Sequence, residues 1–129
     1  MSVQPIVSSL DVSRLQPLLT GRYIDAAVLR LRALFDRARS VPPRRVPPDV
    51  VTMNSRVLVR HPGDEAPDMY ELAYPNSDSG GLSVLSPLGA ALLGAREGEV
   101  VECAGGRVSR RATVERIEYQ PERERHYDR

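Results

Sequence analysis

Up to residue 41 the apolar positions recur with a helical period. Ile24, Val28, Leu31, Phe35 and Ala38 stand 4, 3, 4 and 3 residues apart, a heptad seam and not a strand pattern. They predict a helix over roughly residues 23–40, about 27 Å long. Val12, Leu15 and Leu19 give a shorter stripe of about 13 Å, with Ser9, Asp11 or Ser13 available as N-caps. Pro17 weakens that first helix unless it lies within about the first turn. Thr20-Gly21 separates the stripes, so residues 1–41 read as an antiparallel helical hairpin whose first arm is a stub.

Beyond residue 49 the pattern turns to strands. Arg56–Arg60 and Met69–Tyr74 flank the loop 61–68 and predict a long hairpin. A polar stretch, residues 75–81, leads into Leu82-Ser83-Val84-Leu85. Ser86-Pro87 then reads as an N-cap followed by Pro at the first helical position, and Gly94 as a stop, giving a helix of about two turns. Glu99–Cys103 and Arg107–Tyr119 surround Ala104-Gly105-Gly106, a tight turn. In the last strand the apolar set runs Val108, Ala112, Val114 and then Ile117, Tyr119. That change of parity predicts a β-bulge near Glu115–Arg116. Strands with one short helix indicate an α+β domain and not a βαβ fold.

Between these regions lies Val41-Pro42-Pro43-Arg44-Arg45-Val46-Pro47-Pro48, where four prolines cannot continue a helix. Residues 42–48 are expected to form a short, stiff linker. Charge changes sign across it. Residues 1–48 carry eight Arg against Asp11, Asp25 and Asp36, a balance of +5; residues 49–129 carry ten Arg against fourteen acids, a balance of −4. The net charge of +1 over 129 residues therefore hides two opposed halves. No strong direct nucleic-acid binding is expected from that total.

Composition narrows the chemistry. All 18 basic residues are Arg, which excludes Schiff-base, phosphate-loop and kinase-type lysine chemistry. A single Cys, Cys103, rules out an internal disulfide or a multi-thiolate metal site, and His61 and His126 lie far apart. No catalytic residue, cofactor or metal is expected. The absence of a signal-peptide pattern and of a long apolar run leads to the expectation of a cytoplasmic protein with no membrane contact.

Three segments carry a family resemblance. Asp49-Val50-Val51-Thr52-Met53-Asn54-Ser55-Arg56-Val57, Leu82–Gly94 (LSVLSPLGAALLG) and Glu97-Gly98-Glu99-Val100-Val101 follow one another as in the C-terminal domain of the GreA/GreB transcript-cleavage factors. With the closing Glu118-Tyr119-Gln120-Pro121 the match covers residues 49–121, and its wording is closest to a branch of the family linked to the level of nucleoside diphosphate kinase. The resemblance implies an FKBP-like antiparallel sheet with one short helix, a coiled-coil arm, and binding to bacterial RNA polymerase at its secondary channel. It places the polymerase contact on Leu85, Ser86, Pro87 and Leu88, although Gre factors carry Asp or Asn where this chain has Leu85. Gre factors also bear an acidic pair at the arm tip, which helps to hold a metal ion in the polymerase. Here the tip is Leu19-Thr20-Gly21-Arg22-Tyr23-Ile24-Asp25; Asp25 is its only carboxylate, and Arg22 would oppose a cation. A factor that occupies the channel without stimulating cleavage, and so competes with Gre factors, is expected.

Each of these residues also has a plainer reading. Ser86-Pro87 can merely start a helix, Asp25 can merely stabilise one, and Arg on the outer helix face, with Arg44 and Arg45, can merely be solvated. Cys103 reads as a small packed group, His61 as a loop residue without a role, and residues 122–129 as a charged, fraying tail. Two other functions compete: an FKBP-like prolyl isomerase, disfavoured because residues 49–129 hold no Trp or Phe, and a dimerisation module built on the 23–40 seam. If the hairpin covers its own seam, the protein is a monomer.

Overall fold

A computed structural model describes residues 4–21, 24–75, 77–105 and 108–127. The chain opens with a three-residue strand, β1 (Ile6–Ser8), passes through two helices, α1 (Ser9–Leu19) and α2 (Ala26–Arg37), and returns in β2 (Arg39–Val41). β1 and β2 pair in parallel, Ile6 opposite Arg39 and Ser8 opposite Val41. The helical excursion is thus clasped where it leaves and where it returns.

Both helices differ from their predicted spans. The second is shorter than 23–40: Asp25 caps it, its Oδ1 accepting from the Val28 N–H at 2.9 Å, and Ala38 is already extended. Its 12 residues span about 18 Å. The first is no stub, since its 11 residues span about 17 Å. Its N-cap is Ser8, whose Oγ accepts from the Leu10 N–H, and not Ser9, Asp11 or Ser13. Pro17 sits in the last turns of α1, where the Thr20 hydroxyl donates to the Pro17 carbonyl at 3.2 Å.

The buried face is also rotated from the predicted seam. Ala27, Val28, Leu31 and Leu34 are buried, whereas Ile24, one residue before the cap, is 51% exposed. The reason is that α2 packs on two partners, α1 on one side and the short helix α3 (Pro87–Leu92) on the other. A face serving both is wider than a two-position seam.

The remaining strands are β3 (Arg56–Arg60), β4 (Asp68–Ala73), β5 (Leu82–Ser83), β6 (Val100–Gly105) and β7 (Val108–Tyr119). They form one sheet in the order β5-β4-β3-β7-β6, antiparallel except for β4 with β5. The predicted α+β class holds. The tight turn between β6 and β7 falls partly on Gly106 and Arg107, outside the described residues. The change of parity in β7 is a bulge: Leu58 faces Arg116 while Val59 faces Val114, leaving Glu115 extra. A second skip follows, with Val57 opposite Ile117 and Arg56 opposite Tyr119. The two together keep Val114, Ile117 and Tyr119 buried despite their spacing.

One continuous core joins the hairpin to the sheet: Leu15, Leu19, Leu31 and Leu34 belong to the same cluster as Met53, Val57, Leu92 and Ile117. A smaller cluster of Val41, Val46 and Val50, with Ile6 against it, lies under the proline-rich segment, part of which is a 3-10 turn, Pro43–Arg45. The segment that follows β7 makes contacts back to the domain. Gln120 is fully buried and donates to the carbonyls of Pro47 and Val50, the Arg123 guanidinium donates to the Ile117 carbonyl at 3.2 Å, and His126 Nδ1 lies 2.6 Å from the Tyr119 hydroxyl. Some of its polar groups thus have specific partners, which a count of charged residues does not reveal.

Candidate functional site

The turn that carries Leu85, Ser86, Pro87 and Leu88 is braced from within. After β5, the Leu85 N–H donates to Ser83 Oγ at 3.1 Å and the Ser86 N–H to the Ser83 carbonyl at 3.0 Å. The Ser86 hydroxyl donates to that same carbonyl at 2.6 Å and accepts from the Gly89 N–H at 3.0 Å. It is therefore the N-cap of α3, with Pro87 at the first helical position, as its place in the sequence predicts. Gly89 is required by this brace, because a Cβ there would lie 2.0 Å from the Ser83 carbonyl oxygen. The far end of α3 is turned by Gly94, whose φ of 82° is the left-handed conformation that suits glycine.

What the turn presents outward follows from that bracing. The Ser86 hydroxyl is used on both sides, Pro87 has no N–H, and the Gly89 and Ala90 N–H groups are bonded to Ser86. The unpaired donors that a helix start usually offers are thereby largely taken. Pro87 is exposed, while Leu85 and Leu88 are half-buried with part of each packed on the core. The surface is a rigid apolar knob and not an anion cradle.

The arm tip is different. Arg22 and Tyr23 lie outside the described residues. Asp25 is spent on capping α2, the structural role weighed for it from the sequence. The hairpin is fastened below the tip by Arg32, whose Nε donates to the Leu19 carbonyl at 2.7 Å, with a second guanidinium nitrogen on the same oxygen. This satisfies a carbonyl at the C-terminal end of α1 from α2. Among the described residues, no group of three or more His, Cys, Asp and Glu is arranged to hold a metal ion.

A buried polar cluster that sequence reasoning missed holds the hairpin to the sheet. Asp11 on α1 is 2% exposed, and its Oδ2 accepts from the Met53 N–H at 3.0 Å. Glu122 is 8% exposed and accepts from the Thr52 hydroxyl at 2.7 Å. Thr52 is also tied to Ser55: its N–H donates to Ser55 Oγ, and the two hydroxyls lie 2.9 Å apart. The segment Thr52-Met53-Asn54-Ser55 thus forms a socket for carboxyls from both ends of the chain; Asn54 has a φ of 66°, a left-handed conformation that Asn tolerates. Burial pushes the Asp11 carboxyl from 3.8 up to about 7; Glu122 adds to that rise, while the Met53 N–H and Arg14 oppose it. The nearby Tyr74 hydroxyl is buried without a well-formed hydrogen bond and is pushed to about 12, by burial first and then by Asp11. Asp11 followed by a helical stripe looked like a cap; no local signal shows a carboxyl reaching residue 53.

The residues tested singly fall into place. Cys103 is a half-buried strand residue packed against the core. His61 is not idle, since its Nε2 lies 2.9 Å from the Tyr70 hydroxyl and meets that ring edge-on.

The comparisons with known proteins agree with this arrangement. The family described as "Transcription elongation factor, GreA/GreB, C-term" matches residues 46–119. The chain belongs to the GreA/GreB family. Among its relatives is the "Regulator of nucleoside diphosphate kinase" of Escherichia coli K12, 41% identical over 127 residues, with 91% of this chain and 90% of the relative covered; the protein of the same description from Shigella flexneri matches equally. Among solved structures, "Prokaryotic transcription elongation factor GreA/GreB from Nitrosomonas europaea" superposes with a TM-score of 0.74 at 35% identity, covering 92% of this chain and all of that one. As a GreA/GreB-family member this chain is an elongation-factor-like regulator, a factor rather than a classical enzyme. No helix among the described residues is long and apolar enough to cross a membrane.

Proposed function

We propose that this chain binds bacterial RNA polymerase at the rim of the secondary channel, through Leu85, Ser86, Pro87 and Leu88, and modulates elongation without chemistry of its own. In this reading the sheet with α3 is the FKBP-like docking domain, and α1 with α2 is a short coiled-coil arm. The observation that carries it is the contrast between a braced, exposed turn and a tip whose carboxylate, Asp25, is committed to its own helix. Transcript cleavage requires carboxylates free to share a metal ion and position a water. An arm of about 18 Å joined to the domain by one core also has little reach. The chain therefore occupies the channel rim, excludes Gre cleavage factors, and leaves the RNA intact. The regulation of nucleoside diphosphate kinase in its relatives' name is linked to this chain by resemblance.

Binding to a polymerase implies a place in the bacterial cytoplasm. The self-covered hairpin, with Leu15 and Leu19 buried in one cluster with Val28 and Leu31, fits a monomer, which sedimentation would test. The deciding experiment is a pull-down of RNA polymerase by the wild type and by Pro87→Asp. The wild type retains polymerase and the variant loses it; polymerase retained equally by both moves the contact elsewhere, and none retained by either overturns the proposal.

A further inference from the structure

A cleft of about 640 Å³ opens between α2 and α3, on the side of the hairpin away from α1. Its floor is aliphatic: Leu34 of α2, and Ala90, Ala91 and Leu93 at the far end of the helix that Ser86 begins. Its rim is cationic. Arg30 and Arg37 stand on the same face of α2 as Leu34, at positions i and i+7 about a central i+4, so they are about 10 Å apart along the helix. Arg96 faces them across the cleft.

The three guanidinium groups are not equally free. Both Asp49 oxygens lie within 3.3 Å of the Arg96 guanidinium. Arg30 reaches only a neutral group, the Glu102 carbonyl, and the Glu102 carboxylate is held by Arg111 at 3.1 Å. The Arg37 side chain makes no hydrogen bond or ion pair with the described residues. The one acid lining the cleft is Glu99. Two cations thus remain uncompensated on either side of an apolar floor. Both residues are exposed, as expected of outward arginines, and here they border a concave surface.

We infer that this cleft receives an acidic segment of the polymerase, two carboxylates with an aliphatic side chain between them, one carboxylate on Arg30 and one on Arg37. The inference rests on the polymerase reading above and adds a second contact to it, of opposite character to the apolar knob at Pro87. Charge and shape select this occupant. Single-stranded RNA is disfavoured because no aromatic ring lines the cleft for a base to stack on. Aliphatic floor and cationic rim match an acidic, aliphatic peptide, since Arg pairs bidentately with carboxylates.

Fluorescence-anisotropy titrations of purified core polymerase test this with the wild type, Arg37→Glu, and Arg30→Glu combined with Arg37→Glu. Arg37→Glu breaks no side-chain contact among the described residues, and circular dichroism checks that its fold is retained. Its Kd is expected to rise roughly fivefold or more, and that of the double variant further, with a shallower dependence on salt than the wild type. A photo-crosslinking amino acid at Gln4, on the cleft rim, is expected to label an acid-rich polymerase peptide. Wild-type binding with unchanged Kd in both variants overturns the inference and leaves the Pro87 contact standing. A crosslink to RNA, or to a peptide without acidic residues, also overturns it, and no binding by the wild type overturns both proposals.

Discussion

The hairpin and the turn before α3 use their polar side chains in different ways. In the hairpin, beside its local caps, several of these groups work at a distance: Asp11 reaches Met53 across 42 residues, Arg30 reaches Glu102 across 72, and Arg32 bridges to Leu19. In the turn before α3 they work within three residues, Ser83 and Ser86 bonding to one another and to Gly89. An arm fastened by distant bonds is held against its domain. A turn braced by local bonds keeps its shape by itself and can offer its apolar surface to a partner. The difference teaches where each function can lie: the arm is positioned, and the turn is presented.

The largest expected effect breaks the turn. Gly89→Ala drives a Cβ into the Ser83 carbonyl at 2.0 Å, and the forced backbone shift is expected to cost about 3 kcal/mol. A thermal melt should show a loss of several degrees, about 2–8 °C for each kcal/mol. A variant as stable as the wild type would mean that the brace is dispensable.

Next in size is the arm's attachment through Asp11. Its folded carboxyl holds a proton up to about pH 7, whereas in the unfolded chain it releases it near 3.8. Between those values the folded state binds more protons than the unfolded one, so stability falls as pH rises from about 4 to 7 and levels off above. The shift corresponds to at most about 4 kcal/mol, at about 1.4 kcal/mol per pH unit. Asp11→Asn keeps an acceptor for the Met53 N–H and removes the charge. Melting curves from pH 4 to 8 should therefore decline for the wild type and be flatter for this variant; parallel curves would show that another group governs the decline.

Smaller effects separate the two caps. Ser86→Ala removes the acceptor for the Gly89 N–H and should cost about 1 kcal/mol, with weakened polymerase retention. Asp25→Ala should cost about 1 kcal/mol or less by denaturant titration, but leave polymerase retention unchanged. Equal loss of retention from both would bring the arm tip into the contact.

The local signals in the sequence proved the most informative. Ser86-Pro87 as a helix start, Gly94 as its stop, and the parity change between Val114 and Ile117 each depend on neighbours a few residues away, and each is present in the structure. The expected span of α2 is too long because Ala38 continues the helical period, whereas the chain turns extended there and Arg39–Val41 is drawn into pairing with Ile6–Ser8. Two three-residue strands leave too faint a pattern to compete with an 18-residue stripe. Asp11, Glu122 and Gln120 were invisible for a different reason: their partners are 42 to 73 residues away, and burial of a carboxyl leaves no mark on local periodicity. The proposed contact residues Leu85, Ser86, Pro87 and Leu88 come from family resemblance; the structure adds how the turn is braced.

RNA cleavage in a stalled, backtracked elongation complex tests the central claim most directly. With this protein alone at saturating concentration, the transcript should remain at full length; added before a Gre cleavage factor, the protein should slow cleavage in proportion to its occupancy, and Pro87→Asp should lose that inhibition. Shortening of the transcript by this protein alone would contradict the account.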